Sequence, residues 1–343
     1  RDVGLLLNMQ KTDNQQELAN KRLQPTPLRF APRAAEARAV RLLGERNPWP
    51  REQEKTTNWQ EGKAMDEIKV IDVTYQTIDD LCQICVPLEK RNHPAFKKGI
   101  EQKRIWAMGM WHEWGTFAKI AYEGSTPAGQ IQYRPLPAHR LIYIYCIYIP
   151  EKQHWQKGIA TRLLDSLVED VKKPQVWFDR QPALALVTKT FPGEKPGQYS
   201  AHSFFTRKGF HQAGKDQNFL CYPLTDGFVL AADEEIVEEF FWQPQTAVYV
   251  PQEEDRGKAT IICSPSFCPF SYPFLKAAEA HIRDVAPRIP IRWISMTEDP
   301  AEVARRGGFV GCIVNAKPIK SFVLDKEGFC KEVLEALASP SAS

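Results

Sequence analysis

The run Gln156-Lys157-Gly158-Ile159-Ala160-Thr161 joins a glycine, which lets the chain turn tightly and a ligand approach the main chain, to the start of an amphipathic repeat. From Ile159 the apolar residues Ile159, Leu163, Leu164, Leu167, Val168 and Val171 recur at helical spacing, with Arg162, Asp165, Glu169 and Asp170 between them. Ahead of the loop stands Leu141 to Ile149, a β-branched and aromatic run that fits a buried strand and that Pro150 ends. The order strand, glycine loop, helix leaves the first N–H groups of the helix without intrahelical partners, at the positive end of its dipole. A diphosphate suits such a cradle. Gly158 taken alone reads equally well as a structural turn.

The elements that would hold this loop run from Met65 to Leu224. Ile68 to Tyr75 reads as a strand, and Thr77 as the N-cap of a helix with Asp80 at its third position. A second helix is expected over Pro94 to His112. Two strands, Phe117 to Tyr122 and Gln130 to Arg134, flank the turn-rich Gly124-Ser-Thr-Pro127. After the strand Leu141 to Ile149 and the helix Ile159 to Val171 come a strand over Ala183 to Phe191, a helix over Ser200 to Lys208 ending at Gly209, and a last strand, Phe219 to Leu224. These elements predict an α/β fold with a mixed, largely antiparallel sheet flanked by helices.

Trp155-Gln-Lys-Gly158-Ile-Ala160 resembles motif A of the GNAT superfamily of acyl-CoA N-acyltransferases, roughly Arg/Gln-x-x-Gly-x-Gly/Ala, with Trp155 where Arg or Gln is usual. The element order is similar to that family's too, and so is Ser203 to Phe210 (SFFTRKGF), which resembles its short helix near the pantetheine end of the cofactor. The resemblance implies a GNAT fold over 65–224 and acetyl-CoA as co-substrate, held by Trp155, Gln156, Lys157, Gly158, Ile159, Ala160 and Thr161. It implies main-chain N–H donors for the oxyanion around Ile147, Tyr148 and Ile149. The family's usual tyrosine, which protonates the departing thiolate, is replaced by Phe205. Tyr199, His202 and Ser203 lie near its place and are the candidate catalytic residues; each also reads as an ordinary loop or surface side chain.

An amine attacking a thioester needs an orienting platform, a donor for the developing oxyanion and a route for protons, with no metal required. Glu113, Glu123 and His112 are candidate bases, directly or through water, if burial tunes them towards neutral pH. As solvated side chains they need no such role. Tyr143, Tyr145 and Tyr148 either line an acceptor pocket or simply pack, and Cys146 reads as core.

Past residue 225 an acidic stretch, Asp233 to Glu239, sits between Pro-Gln-rich pieces and reads as a linker, 225–256. Beyond it come strand Ala259–Cys263, helix Pro273–Val285, strand Ile289–Met296, helix Pro300–Arg306, strands Phe309–Val314 and Ser321–Leu324, and helix Glu327–Ala338. That order resembles the thioredoxin fold over 257–340, and the pairing of the two units resembles the YoaP-like acetyltransferases. Cys268-Pro-Phe-Ser271 falls where that fold keeps its redox motif, at a helix N-terminus that lowers a thiol's pKa, so Cys268 is a candidate redox residue. Ser271 removes the resolving thiol, although Cys263 or Cys312 might take its place. A thiol sensor centred on Cys268, or a protein that holds acyl-CoA without turnover, are the rival readings to acetyl transfer.

Composition narrows the setting. The first 64 residues carry 12 Lys/Arg against 8 Asp/Glu, a net of +4, while the remaining 279 carry 33 against 34, a net of −1. The overall charge of +3 therefore gives the folded part no basic face for nucleic acid. No apolar run approaches a membrane span and no signal peptide is visible, which points to the cytoplasm. Residues 1–64 have little periodicity and read as a disordered or non-native leader, with Met65 as the start of the folded part. Eight cysteines without a secretion signal argue against a disulfide framework, and Cys82-x-x-Cys85 lacks a second pair at zinc-site spacing. The acceptor is expected to be a small molecule or an exposed amine, with no nucleic-acid or membrane partner.

Overall fold

A computed structural model of the chain describes residues 68–190, 200–230 and 248–338. Strand β1 (Ile68–Asp72) leads into helices α1 (Ile78–Gln83) and α2 (Pro94–Trp114), and strands β2 (Ala118–Glu123), β3 (Thr126–Leu136) and β4 (Leu141–Tyr148) follow. Helix α3 (Ile159–Val171), strand β5 (Ala185–Lys189), helix α4 (Ala201–Arg207) and strands β6 (His211–Gln212) and β7 (Phe219–Pro223) complete the first unit. The second contains β8 (Ala259–Cys263), α5 (Ser271–Val285), β9 (Ile291–Ser295), α6 (Pro300–Arg305), β10 (Gly311–Val314), β11 (Lys317–Pro318) and α7 (Lys326–Ala338). The expected leader, most of the expected linker and Tyr199 lie outside the described residues.

The first sheet has the order β1-β2-β3-β4-β5-β7-β6 and is antiparallel except at β4–β5. That pair is parallel because α3 carries the chain back across the sheet between them. Both faces are covered. On one, α3 buries Ile159, Leu163, Leu164, Leu167 and Val171 against Ile131, Ile142, Ile144 and Leu186. On the other, α1 and α2 bring Leu81, Cys82, Ala107 and Met110 onto Phe117, Ala118 and Ile120. Each fully buried Leu or Ile contributes about 1.5–3 kcal/mol.

The second sheet has the order β11-β10-β8-β9, with β8–β9 parallel and the other pairs antiparallel. The element order agrees with expectation except at one place. Ser321–Leu324, expected as a strand, is a turn, and the strand that pairs with β10 is Lys317–Pro318. Asn315 and Ala316 both adopt left-handed φ, 49° and 57°, and close a two-residue hairpin immediately after β10. The first strand is also shorter than expected, ending at Asp72, and Thr77 is an N-cap by position only. Its hydroxyl donates to Thr74 O and accepts from Thr74 N–H.

Candidate active site

β4 and β5 run together only from Leu141 to Ile144 and Ala185 to Thr188. Thr188 Oγ1 donates to Ile144 O at 3.0 Å where the ladder ends, and beyond that point β4 continues on β3 alone. The register of β4 on β3 also shifts there: Gln132 faces Cys146 and Tyr133 faces Ile144, so Tyr145 is an extra, bulged residue. Half the main-chain groups of Tyr145 to Tyr148 therefore face the side on which β5 no longer pairs. This is where the sequence placed an oxyanion donor, at Ile147, Tyr148 and Ile149.

Gly158 caps α3 with a left-handed φ of 75°, and an added Cβ there would meet nothing within 4 Å. The first intrahelical bond runs from Arg162 N–H to Gly158 O, which leaves the amides of Ile159, Ala160 and Thr161 outside the helix's own pairing. Gln156 is left-handed as well, with φ 61°, a conformation that aims successive N–H groups to one side. Trp155, the departure from the family pattern, ties the loop down: its Nε1–H donates to Ile149 O at 3.0 Å. Lys157 donates to Glu123 Oε1 at 2.6 Å, and the buried His154 places Nδ1 2.9 Å from Glu123 Oε2. The bond from Lys157 is the main cause holding the Glu123 carboxyl below its ordinary range. Glu123 thus braces the glycine loop instead of serving the acceptor side, and His112 and Glu113 are exposed at the end of α2.

The other candidates have structural employment. Ser203 Oγ is 2.9 Å from Ser200 Oγ, which caps α4 by accepting from Ser203 N–H, and His202 Nε2 is 3.2 Å from Gln217 O. Phe205 is buried, 4.8 Å centroid to centroid from Phe210. Tyr143 is buried, Tyr148 is exposed, and Tyr145 stacks on Phe267 of the second unit at 5.2 Å.

Cys268 does not behave as the helix-entry argument expects. Backbone N–H groups of Phe270 and Ser271 pull its pKa down, but burial outweighs them and the thiol is raised. The same desolvation pushes Cys82 and Cys312 up to about 12. Among the described residues no group of three His, Cys, Asp or Glu is arranged to hold a metal ion, and no helix is long and apolar enough to cross a membrane.

Residues 85–191 match the model of the acetyltransferase (GNAT) family. Over that stretch, 107 of the 343 residues, the chain is similar to GNAT acetyltransferases. No curated protein matches the chain. Among solved structures, PaiA N-acetyltransferase of Thermoplasma acidophilum in complex with coenzyme A is 13% identical, with 45% of this chain and 96% of that one covered at a TM-score of 0.32. A GNAT family acetyltransferase from Brucella melitensis in complex with acetyl-CoA is 12% identical, with 48% and 92% covered at 0.33. At these scores neither likeness bears on the chemistry of this chain.

Proposed function

We propose that the first unit moves an acetyl group from acetyl-CoA to a primary amine by direct attack. The observation that carries this reading is the pair of open main-chain surfaces set at the two ends of one loop: unpaired amides at the start of α3 for the diphosphate, and unpaired β4 groups past Ile144 for the thioester oxygen. The neutral amine adds to the thioester carbonyl, negative charge gathers on that oxygen where β4 N–H groups donate hydrogen bonds to it, the nitrogen gives up its extra proton to water, and the C–S bond breaks as the thiolate leaves. Phe205 offers no proton to the departing sulfur. A thiol has a pKa of about 8.5, so a thiolate is stable enough near neutral pH to leave without a strong acid beside it.

The second unit is read as a thioredoxin-like module over 257–340, joined by a linker over 225–256. Its Cys268 serves packing in this reading, since a buried thiol with raised pKa is a poor nucleophile. The working compartment is the cytoplasm, and the acceptor is a small or exposed amine instead of nucleic acid or membrane.

Gly158→Asp tests the placement. The substitution puts a carboxylate among the amides that would bind phosphate, in open space where it disturbs no packing. Calorimetric titration with CoA should show affinity lowered by at least about tenfold while the circular dichroism spectrum is kept. Unchanged affinity would count against the cradle and the acyl-CoA assignment with it.

A further inference from the structure

Lys103, on α2, is 0% exposed, yet among the described residues its ammonium meets no carboxylate; its one hydrogen-bond partner is the Cys85 thiol, Nζ to Sγ 3.6 Å. Sulfur is a weak acceptor, so this is poor compensation for a buried charge. Beside it Gln130 of β3, also 0% exposed, spends its Nε2 on two sulfurs, Cys85 Sγ at 3.6 Å and Cys146 Sγ at 3.7 Å, and leaves Oε1 without a partner. Gln132, two residues further on the same face of β3 and opposite Cys146, likewise leaves a buried Oε1 unpaired. Buried polar groups are nearly always satisfied, and an uncompensated cation flanked by idle carbonyl oxygens is an unusual accumulation.

The second unit packs close to this cluster. Phe267 stacks on Tyr145 and meets Trp106 at 6.2 Å, Phe270 meets Phe96 edge-on at 5.3 Å, and the Pro269 carbonyl lies against Gly99. Cys268 lies between Phe267 and Pro269 in sequence, and burial raises its thiol pKa. Cys146 and Cys268 keep partial exposure.

We propose that this cluster of buried polar groups is the acceptor site and that its ligand is a small α-amino carboxylate, bound through its carboxylate to Lys103 and through its amine to the amide oxygens of Gln130 and Gln132. The requirements are complementary. The cation lacks an anion, the carbonyl oxygens lack N–H donors, and a zwitterion supplies both. The thiols act as soft placeholders that the ligand displaces. As an acceptor site this rests on the acetyl-transfer reading above; as a binding site it does not.

The test uses the full chain and three matched probes: an amino acid, its carboxamide and the decarboxylated amine. Acetyl transfer and calorimetric binding are measured for wild type, Lys103→Met and Gln130→Leu, with CoA affinity as a control. The expected result is a preference for the free amino acid that Lys103→Met reduces roughly 10- to 100-fold in kcat/KM and in affinity, down to the level of the carboxamide, with CoA affinity kept. Gln130→Leu should weaken all three probes, because all share the amine. Equal treatment of the three probes by wild type overturns the proposal, and so does indifference of the preference to Lys103→Met. An ultraviolet thiolate absorbance in the ligand-free protein that Cys85→Ser removes would show that Lys103 already has its anion, and would overturn it too. Loss of CoA binding in wild type, with amino-acid binding intact, would instead sink the acyl-transfer reading and leave the binding site standing.

Discussion

Phe205 and Gly158 show how one side chain fixes what the site can do. Phe205 stands where the resemblance to GNAT enzymes leads one to expect a tyrosine, and its ring is packed among Phe204 and Phe210 in the core. Phe205→Tyr would bury a hydroxyl with no partner, at a cost of about 1–3 kcal/mol. Urea unfolding should show that loss, and kcat should not rise; an increased kcat would mean that the position reaches the reacting sulfur after all. In the second unit Asp255 concentrates a comparable stake. Arg306 donates to it twice, at 2.8 and 2.9 Å, and Thr260 and Tyr249 donate at 2.7 and 2.9 Å, all in the interior. Asp255→Ala removes the anion that Arg306, Thr260 and Tyr249 share and leaves Arg306 with Glu302, at 2.9 Å, as its near carboxylate, so unfolding of this unit should be easier by about 1–3 kcal/mol, read from its denaturant midpoint.

At the scale of elements, the contact of α2 with the loop before α5 governs how the two units act on each other. An added Cβ on Gly99 would come within 2.0 Å of the Pro269 carbonyl, a backbone atom that cannot swing aside as a side chain would. Gly99→Ala should therefore favour the helix itself by about 1 kcal/mol while pushing the loop away. The expected outcome is a calorimetric trace in which two transitions separate, with altered Trp106 fluorescence as Phe267 withdraws. A single unshifted transition would show that the docking is softer than the packing implies. The glycine is legible in the sequence only as a flaw in a helix; its use is to let another backbone approach.

For the whole molecule, acid should act through carboxylates held below their ordinary range. Burial tends to raise Asp255, but the bonds from Arg306, Thr260 and Tyr249 outweigh it and the carboxyl is lowered. A carboxyl lowered in the fold contributes stability that is fully present above its unfolded pKa, near 3.9, and is withdrawn as pH falls through the folded value. Stability of the second unit should accordingly be flat from neutral pH down to about 5 and decline below about pH 4. With Asp255→Asn that acid-side decline should flatten, which a pH series of thermal midpoints would reveal.

Local pattern was enough for much of this protein. The helical repeat after Gly158 predicts Ile159–Val171, the bounds of α3, and the apolar run Ala259–Cys263 predicts β8, because both signals live within a few residues of chain. The glycine before that helix was equally readable as its left-handed cap, since the turn is a local property of the chain. Ser321–Leu324 misled because an apolar run does not say whether a partner strand is still available, and the hairpin at Asn315-Ala316 had already supplied one. The bulge at Tyr145, the parting of β4 from β5, the burial of Lys103 and the stacking of Phe267 on Tyr145 were decided only by tertiary structure. Each depends on which distant segments meet, and pairing energies between elements far apart in sequence leave no periodic trace in either one.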